Sequence, residues 1–587
     1  MKELLNSSPL QKILFVSHKQ AQCGVYEFGK NVCEALQRSQ NYQFIRVECS
    51  SMGELRAEIK KNDPAAIIYN YHPAVLPWVA TRIGGKLWKN NIASIKIPQI
   101  GIMHEVTQQI ANMATGYRNK LLFGAGKLCN SLFDFYISSD PTLLLKNPLV
   151  YKTGRLLPSY DKEFTPSVKP VIGSFGFATP KKGFEKIVQL VQQEFDEAVI
   201  RFNIPAADFG DKNGINARTI SERCKALIDK PGIELVITHD FLNGADLLNF
   251  LAQNTANVFL YEDENGRGIS SAVDIAMAVR RPVAVSEAKM FRHVLDVKPS
   301  ICVKNNSLKQ IIQNGFAPLQ SHYDEWSAEN LLWEYERILR SIFLKLRNPE
   351  TPQLSILGSI RAAFNKLLSK PDNTFTWLIN SEKITEDSVE PKKDVRYQPV
   401  QIPAGNTFNR ILDNKARELY KPAVDKLFEL MPETMAEKIS EANVQQAFVF
   451  DTVYRNLVKF KNPKILCVGS YKDTASMSLK VFGLHVDEID PNYNYYLQEF
   501  YTKPTTKRAS YDIIFSTSVI EHDSDDESFV KCIEGLLAPG GIAIITCDYQ
   551  DGWKPGEPKP ECNARFYTQN DLKNRLLPLM EKCQLID

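Results

Sequence analysis

Residues 511–523 (YDIIFSTSVIEHD) and 536–546 (LLAPGGIAIIT) each read as a hydrophobic strand ending in polar residues. In the second, Pro539 is expected to end the preceding helix, because proline lacks an N–H and fixes φ. Gly540-Gly541 then permits a tight reversal. Residues 542–546 form an apolar run of strand length, as expected of a strand buried on both faces. Further back, residues 463–470 (PKILCVGS) read as a strand entering a glycine turn. Residues 485–491 (HVDEIDP) read as another strand with acidic residues at its end.

Together these segments resemble the second half of the class I S-adenosylmethionine-dependent methyltransferases. The resemblance implies a cofactor site at Gly469, Ser470, Asp473 and Ser518, with the loop under the methionine moiety. It also implies an acid that accepts both ribose hydroxyls. By the strand–Asp–turn pattern that acid is Asp490 rather than Asp487 or Glu488. The chain departs from the family in two places. The loop 469–473 has one glycine where two or three are usual, and the interval 490–511 is too short to locate the usual third strand with its adenine-contacting acid. Glu521 and His522 stand where the family places methyl transfer. His522 is either the base that takes a proton from a sugar hydroxyl or a strand cap packed under the cofactor. Asp548 ends the next strand, and Arg565 lies near the same edge. Arg565 is either a clamp for a substrate carboxylate, phosphate or hydroxyl pair or half of a structural salt bridge. A doubly wound domain that has lost its cofactor is the alternative reading of this part.

The front of the chain has another logic. Residues 12–17 (KILFVS) form a strand, and a loop leads to a helix over 25–37. Gly24-Val25 at that helix start leaves backbone N–H groups where a phosphate can sit. Strands over 65–70, 97–103 and 133–138 follow, the middle one leading directly into His104-Glu105. Strand and helix alternate, which implies a mostly parallel sheet in a Rossmann-like unit. A second such unit starts at 171–175 (VIGSF). Its strand ends in 176–183 (GFATPKKG), and an amphipathic helix over 184–194 follows. Glycines there let the backbone approach a diphosphate, and a lysine at that edge neutralises it. Strands over 235–238 and 258–261 precede residues 262–285 (EDENGRGISSAVDIAMAVRRPVAV). In that block 266–271 form a loop with two glycines and two hydroxyls at the N-terminus of a helix over 271–279. Arg267 is placed to reach an anionic oxygen, and 283–285 form a short buried strand.

Two tandem Rossmann-like units with a phosphate loop in the second resemble retaining glycosyltransferases of the GT-B fold. The particular likeness is to the family 4-like group that includes sucrose synthase-like and lipopolysaccharide enzymes. It rests on Gly24-Val25, His104, Lys182-Gly183 and the block 266–282. It implies donor-binding residues Gly24, Val25, Lys181, Lys182, Glu264, Arg267, Gly268, Ile269, Ser270, Ser271 and Asp274. The family carries a second glutamate that contacts the donor sugar or ribose. Ile275 stands in its place, with Asp274, or Glu262 and Glu264, as substitutes. The usual arginine before the lysine of the 176–183 loop is missing too, and Arg267 can supply that charge. His104 and Glu105 are the expected catalytic residues of this half. His104 is equally readable as a strand-end residue hydrogen-bonded to backbone. His72, within 69–73 (YNYHP), is expected to line the acceptor cleft.

Residues 331–347 read as a helix that packs back on the first domain. Residues 370–405 have a linker composition. Residues 408–460 give helical stretches, among them 416–431 and 443–458, that lead as a lid or brace into the strand at Ile465. A chain of 587 residues, 44% hydrophobic and 24% charged, suits two or three globular domains. A net charge of +3 gives no argument for nucleic acid. The 11 cysteines include no Cys-x-x-Cys pair, so neither a zinc site nor a disulfide framework is expected. Reduced thiols in a cytosol fit this usage. No signal peptide or membrane-length apolar run is present. Peripheral membrane contact through a lipid-linked acceptor stays open. The chain stops at Asp587, where the methyltransferase likeness implies a further strand, so an incomplete C-terminus is expected.

The expected architecture is α/β. A GT-B pair covers 1–155 and 156–369, a linker covers 370–405, and a class I methyltransferase domain with N-terminal helices covers 406–587. The expected activity is bifunctional. A sugar passes from a nucleotide-sugar to a growing surface glycan such as an O-antigen, and S-adenosylmethionine methylates a sugar hydroxyl. No metal is expected, because the first half has no Asp-x-Asp pair and helix N-termini with cations can stabilise a leaving diphosphate. Two alternatives remain. One domain is catalytic and the other a binding scaffold, or the methyltransferase acts on a non-glycan substrate and the first half serves recruitment.

Overall fold

The computed structural model describes residues 10–20, 22–83, 86–114, 132–145, 147–162, 164, 167–206, 211, 213–264, 267–347, 391, 395–403, 409–491, 494–560 and 563–586. The chain divides into two compact units, Met1–Thr351 and Pro352–Asp587. Most of the expected linker at 370–405, and Gly266 of the expected phosphate loop, lie outside the described residues.

The first unit holds two parallel sheets. β1 (Gln11–Ser17), β2 (Tyr42–Glu48) and β3 (Ala66–Tyr71) are followed by an antiparallel hairpin of β4 (Ala80–Ile83) and β5 (Lys86–Asn90). Then come β6 (Gln99–Met103), β7 (Phe135–Ser138) and β8 (Val150–Lys152). The first sheet runs β2-β1-β3-β6-β7-β8, all parallel. Its order reverses between β1 and β3, which places a ligand crevice outside their carboxyl ends. Both faces are covered, and β1 shows why its residues 13–16 are uniformly apolar. Leu14 and Val16 join one core, with Leu55, Ile67 and Tyr69. Ile13 and Phe15 join the opposite one, with Val32 and Leu36. A strand alternating between two buried faces needs hydrophobic residues at every position.

The helix Ala328–Arg347 packs back on the second of these faces through Tyr335, Ile338, Leu339 and Ile342. Glu336 on that helix accepts a hydrogen bond from Asn41 Nδ2 at 2.6 Å.

The second sheet contains β9 (Val171–Phe175), β10 (Ala198–Asn203), β11 (Ile233–Thr238), β12 (Ala256–Phe259) and β13 (Val283–Val285). Its order is β11-β10-β9-β12-β13, again all parallel, with the reversal between β9 and β12. The helix Phe184–Glu194 follows β9 and buries Phe184, Ile187, Val188 and Val191. The sequence reading did not include β2 or β10.

The second unit carries β14 (Ile465–Val468), β15 (Val486–Ile489), β16 (Tyr511–Thr517) and β17 (Leu537–Thr546), in the parallel order β15-β14-β16-β17. The reversal lies between β14 and β16. Between β15 and β16 stands the short helix Leu497–Thr502. The stretch 416–431, read as one helix, is instead split into Asn414–Leu419, Lys421–Leu430 and Pro432–Ala436, with prolines at the starts of the latter two. Proline suits a first helical turn and cannot donate within a continuing one. Pro539 does not end a helix. The helix Asp526–Leu536 stops earlier, and the Pro-Gly-Gly segment lies inside β17. There the pairing shifts register between Tyr511/Leu537 and Ile513/Ile542.

Candidate functional site

In the first unit, the carboxyl ends of β1, β3 and β6 bring three histidines together. His18 follows β1, His72 follows β3 and His104 follows β6. His104 Nε2 lies 2.7 Å from Asn70 Oδ1. Asn70 is fully buried and its Nδ2 donates to the Val25 carbonyl at 2.8 Å. Asn70 Oδ1 is therefore the acceptor, and His104 carries its proton on Nε2. The His104 ring meets Phe28 edge-on at 5.0 Å. Burial, with a smaller contribution from the neighbouring His72, pushes its pKa down to about 3. A neutral imidazole offers Nδ1 as an acceptor and is no general acid at neutral pH. Neither Asn70 nor His18 was singled out in the sequence. The signal for Asn70 was an amide inside an otherwise apolar-aromatic strand, and a buried amide needs partners.

His72 Nδ1 accepts from the Ala74 N–H at 3.2 Å, and burial lowers its pKa while Glu105 raises it. His18 is buried, with Nε2 at 3.2 Å from Cys23 Sγ. Gly24 and Val25 begin the helix Gly24–Leu36 directly after Cys23.

The block after β12 meets this edge. Arg267 Nη1 donates to Glu105 Oε1 at 2.8 Å, and its Nε lies 3.9 Å from Glu264 Oε2. A Cβ on Gly268 would lie 2.2 Å from the His104 carbonyl oxygen, so only glycine allows this approach. Ser270 caps the helix Ser271–Met277, its side chain accepting from the Ala272 N–H. Ile269 lies between these two anchors and is partly buried. Arg292 also joins the two edges, pairing with Asp140 and reaching the Val106 carbonyl.

Asp274 turns into the interior. It is 2% exposed, Arg155 Nε and Nη2 donate to its Oδ2 at 2.8 and 2.5 Å, and His293 Nε2 lies 3.2 Å from its Oδ1. Both oxygens are engaged in the interior, and this placement does not present the carboxylate to a donor. Burial alone would raise its pKa, but Arg155 and His293 outweigh that and hold it below the ordinary value. Of the other two acids, Glu262 pairs with Lys186 at 2.9 Å, and Glu264 is the one beside Arg267.

Across the reversal of the second sheet, Lys181 sits in a left-handed conformation at φ 69° and its carbonyl accepts from the Glu262 N–H. Lys182 Nζ stands 3.9 Å from the centroid of the Tyr261 ring. Lys181, Lys182 and the 262–264 segment therefore share one edge, beside Arg267.

In the second unit, Gly469 turns the chain after β14 at φ 82°. A Cβ there would lie 2.2 Å from Val519 Cγ2, so the two loops flanking the reversal touch. Ser470 is buried, and its Oγ has no hydrogen-bond partner among the described residues. Asp473 is a helix cap. Its Oδ1 accepts from the Ser476 N–H at 2.7 Å and its Oδ2 from Gln446 Nε2 at 2.9 Å. Burial raises its pKa. Asp490 stands at the end of β15, 6% exposed, and its Oδ2 accepts from the Tyr471 N–H at 3.0 Å.

Ser518, at φ 55°, donates to Glu521 Oε1 at 2.5 Å, and the Asp548 N–H donates to the same oxygen at 3.2 Å. Glu521 is fully buried and burial raises its pKa, whereas His522 beside it is exposed. Asn563 Nδ2 donates to Asp548 Oδ2 at 2.9 Å. Of the two readings of Arg565, the geometry is that of a structural pair. Its guanidinium contacts Asp571 Oδ1 at 2.7 Å and Asp526 Oδ2 at 3.4 Å, and Arg575 shares both acids. That network ties the segment Asp571–Leu576 to the helix Asp526–Leu536.

Among the described residues no cluster of histidine, cysteine or acidic side chains could hold a metal ion. No helix among the described residues is long and apolar enough to cross a membrane.

No family model matches the chain, and no curated protein matches it. Solved structures do. HepE of Anabaena in complex with UDP-glucose is similar at TM-score 0.39 and 12% identity, over 56% of this chain and 99% of that one. Sucrose-phosphate synthase from Thermosynechococcus elongatus is similar at TM-score 0.39 and 12% identity, over 57% and 99%. The lipopolysaccharide outer core galactosyltransferase WaaB is similar at TM-score 0.36 and 9% identity, over 57% and 100%. Likenesses of this size assign neither a substrate nor a reaction to this chain.

Proposed function

We propose that the first unit transfers a sugar from a nucleotide-sugar to a glycan hydroxyl, by the retaining route that the GT-B likeness of its motifs implies. The observation that carries this reading is the meeting of two switch-point edges at Arg267–Glu105 and Gly268–His104. Ligands of open parallel sheets bind outside the carboxyl ends at such reversals. Here one edge carries cations at Lys181, Lys182 and Arg267. The facing edge carries a neutral His104 whose Nδ1 can accept from a hydroxyl. Lys182, Arg267 and backbone N–H groups near Ser270 and Ser271 neutralise the departing diphosphate. Gly24 and Val25 at the opposite helix start can meet the same anion, and His72 lines the acceptor side. This chemistry uses cationic side chains and helix termini without requiring a metal. The acceptor class is a growing surface glycan, free or lipid-linked. Action in the cytoplasm or at the inner face of a membrane follows from the nucleotide-sugar donor.

For the second unit we propose binding of S-adenosylmethionine at the β14–β16 reversal and methylation of a sugar hydroxyl. Asp490 would accept ribose hydroxyls, and Gly469 and Ser470 would lie under the methionine. Ser470 Oγ, a buried hydroxyl with no partner among the described residues, supports a ligand there. With Glu521 inward and His522 exposed, His522 is the better placed of the two to meet a substrate hydroxyl. The contact between Gly469 and Val519 favours the rival reading, in which this unit is a scaffold without cofactor.

Isothermal titration of the full chain with S-adenosylhomocysteine, and separately with UDP, ADP and GDP, tests both halves. Binding of both classes, lost respectively in Asp490→Ala and Lys182→Ala, is expected. Failure of either class to bind removes the catalytic reading of that unit.

A further inference from the structure

Tyr261 follows β12 at the reversal of the second sheet, and its hydroxyl is not explained by packing. The residue is 4% exposed, with its ring against Phe291 at 4.8 Å and edge-on to Phe259 at 6.2 Å. Its backbone carbonyl accepts from Ser286 Oγ at 2.6 Å. Its phenolic oxygen is buried and has no hydrogen-bond partner among the described residues. Nearly all buried hydroxyls are paired, and one left unpaired destabilises the fold that holds it. A phenylalanine would keep every ring contact just described without that cost.

Two neighbours say what the hydroxyl is for. The Lys182 ammonium stands over the ring face, 3.9 Å from its centroid, a distance at which the ring quadrupole holds a cation in place. The other neighbour is Gly176, the residue directly after β9. Even a Cβ built on it would lie 3.8 Å from the Tyr261 oxygen. The hydroxyl thus faces a side-chain-free backbone at the end of β9, with a cation held over its own ring. An acceptor that fits both groups carries negative charge and is small enough to approach the glycine.

We infer that the Tyr261 hydroxyl donates a hydrogen bond to a phosphate oxygen of a nucleoside diphosphate whose charge Lys182 neutralises. The ring is then a shelf that holds the lysine, and its hydroxyl is a second point of attachment for the same anion. The inference rests on the donor-site reading of the first unit and adds a ligand residue that no part of the sequence motif contains.

The test is Tyr261→Phe in the full chain, which keeps the ring beneath Lys182 and removes only the oxygen. Binding is measured by titration calorimetry with UDP, ADP and GDP, and with inorganic pyrophosphate. Thermal melting of the ligand-free protein is measured alongside. Affinity for the nucleoside diphosphate that the wild type binds is expected to fall about 10- to 100-fold, the range for a hydrogen bond to a charged group. Pyrophosphate should weaken in parallel, and the ligand-free variant should melt no lower than the wild type. Unchanged affinity in Tyr261→Phe, with binding lost in Lys182→Ala, overturns this inference and leaves the donor-site reading standing. A lower melting point of the ligand-free variant also overturns it, because the hydroxyl would then have a structural partner. If the wild type binds no nucleoside diphosphate, both readings fall.

Discussion

Asp274 shows how a motif position and a side-chain role come apart. The sequence offers it as the nearest acid to the place where Ile275 replaces an expected glutamate. Successive helix residues point about 100° apart, so neighbours in sequence cannot exchange roles by adjacency alone. In the structure Asp274 turns into the interior and holds Arg155 and His293, both themselves buried. Removing one partner of a buried ion pair leaves an uncompensated charge, which costs about 3–5 kcal/mol. Asp274→Ala is therefore expected to destabilise the first unit by about that amount, read from the shift of its urea transition. The affinity of the folded fraction for a nucleoside diphosphate should stay at the wild-type value. A large loss of affinity with little loss of stability would restore Asp274 to the donor site.

Elements were legible where one signal dominated. The strand β9 and the helix Phe184–Glu194 match their expected limits, because a short apolar run and a strong amphipathic pattern stand next to a glycine loop. β10 reads AVIRFN, with Arg201 in the middle, and its guanidinium lies over Phe250 at 4.2 Å while bonding the Phe250 carbonyl. A charged residue whose stem is covered by a distant helix hides a strand from any local pattern. Pro539 misled for a related reason. A Pro-Gly-Gly triplet signals a turn locally, but proline and glycine are also the residues that a bulge accommodates. Pairing with β16 decides between the two. Candidate site positions were legible at strand ends, where polar residues follow apolar ones. Their partners were not, since Asn70, Gln446 and Arg155 come from distant segments.

The contact between the loops after β14 and β16 is an element-scale feature that can be tested directly. Gly469→Ala introduces a Cβ at 2.2 Å from Val519 Cγ2 and places a side chain at φ 82°. The left-handed backbone alone costs about 1–2 kcal/mol, and the steric clash adds to it. Val519→Ala removes the clashing methyl groups but not the backbone cost. The double variant is expected to be more stable than the sum of the two single effects by about 0.5–3 kcal/mol, the usual coupling between residues in contact. Strict additivity in denaturant melts would show that the loops can part freely at this point.

At the scale of the whole molecule, the two units have separate cores, and the buried histidines of one and two buried acids of the other act oppositely on stability between pH 7.5 and pH 5. In the first unit burial lowers the pKa of His18, His72, His104, His293 and His322 below 6.5. As pH falls below 6.5, the unfolded chain takes up these protons before the folded one, so the first unit loses stability. In the second unit burial raises the pKa of Asp473 above 3.8 and of Glu521 above 4.5. The folded state then binds protons at a pH where the unfolded state has released them, so these two groups add stability as pH falls toward 5. A two-unit chain need not melt in one step, and calorimetry at pH 7.5 and pH 5 should resolve two transitions that move relative to each other. Ligands assign them. A nucleoside diphosphate at about 100 times its Kd stabilises whichever unit binds it by about 2.7 kcal/mol. It is expected to raise only the acid-sensitive transition, while S-adenosylhomocysteine raises only the other. A single transition shifted by both ligands would mean that the units unfold as one. If the nucleotide raised the acid-resistant transition instead, the donor site would belong to the wrong unit.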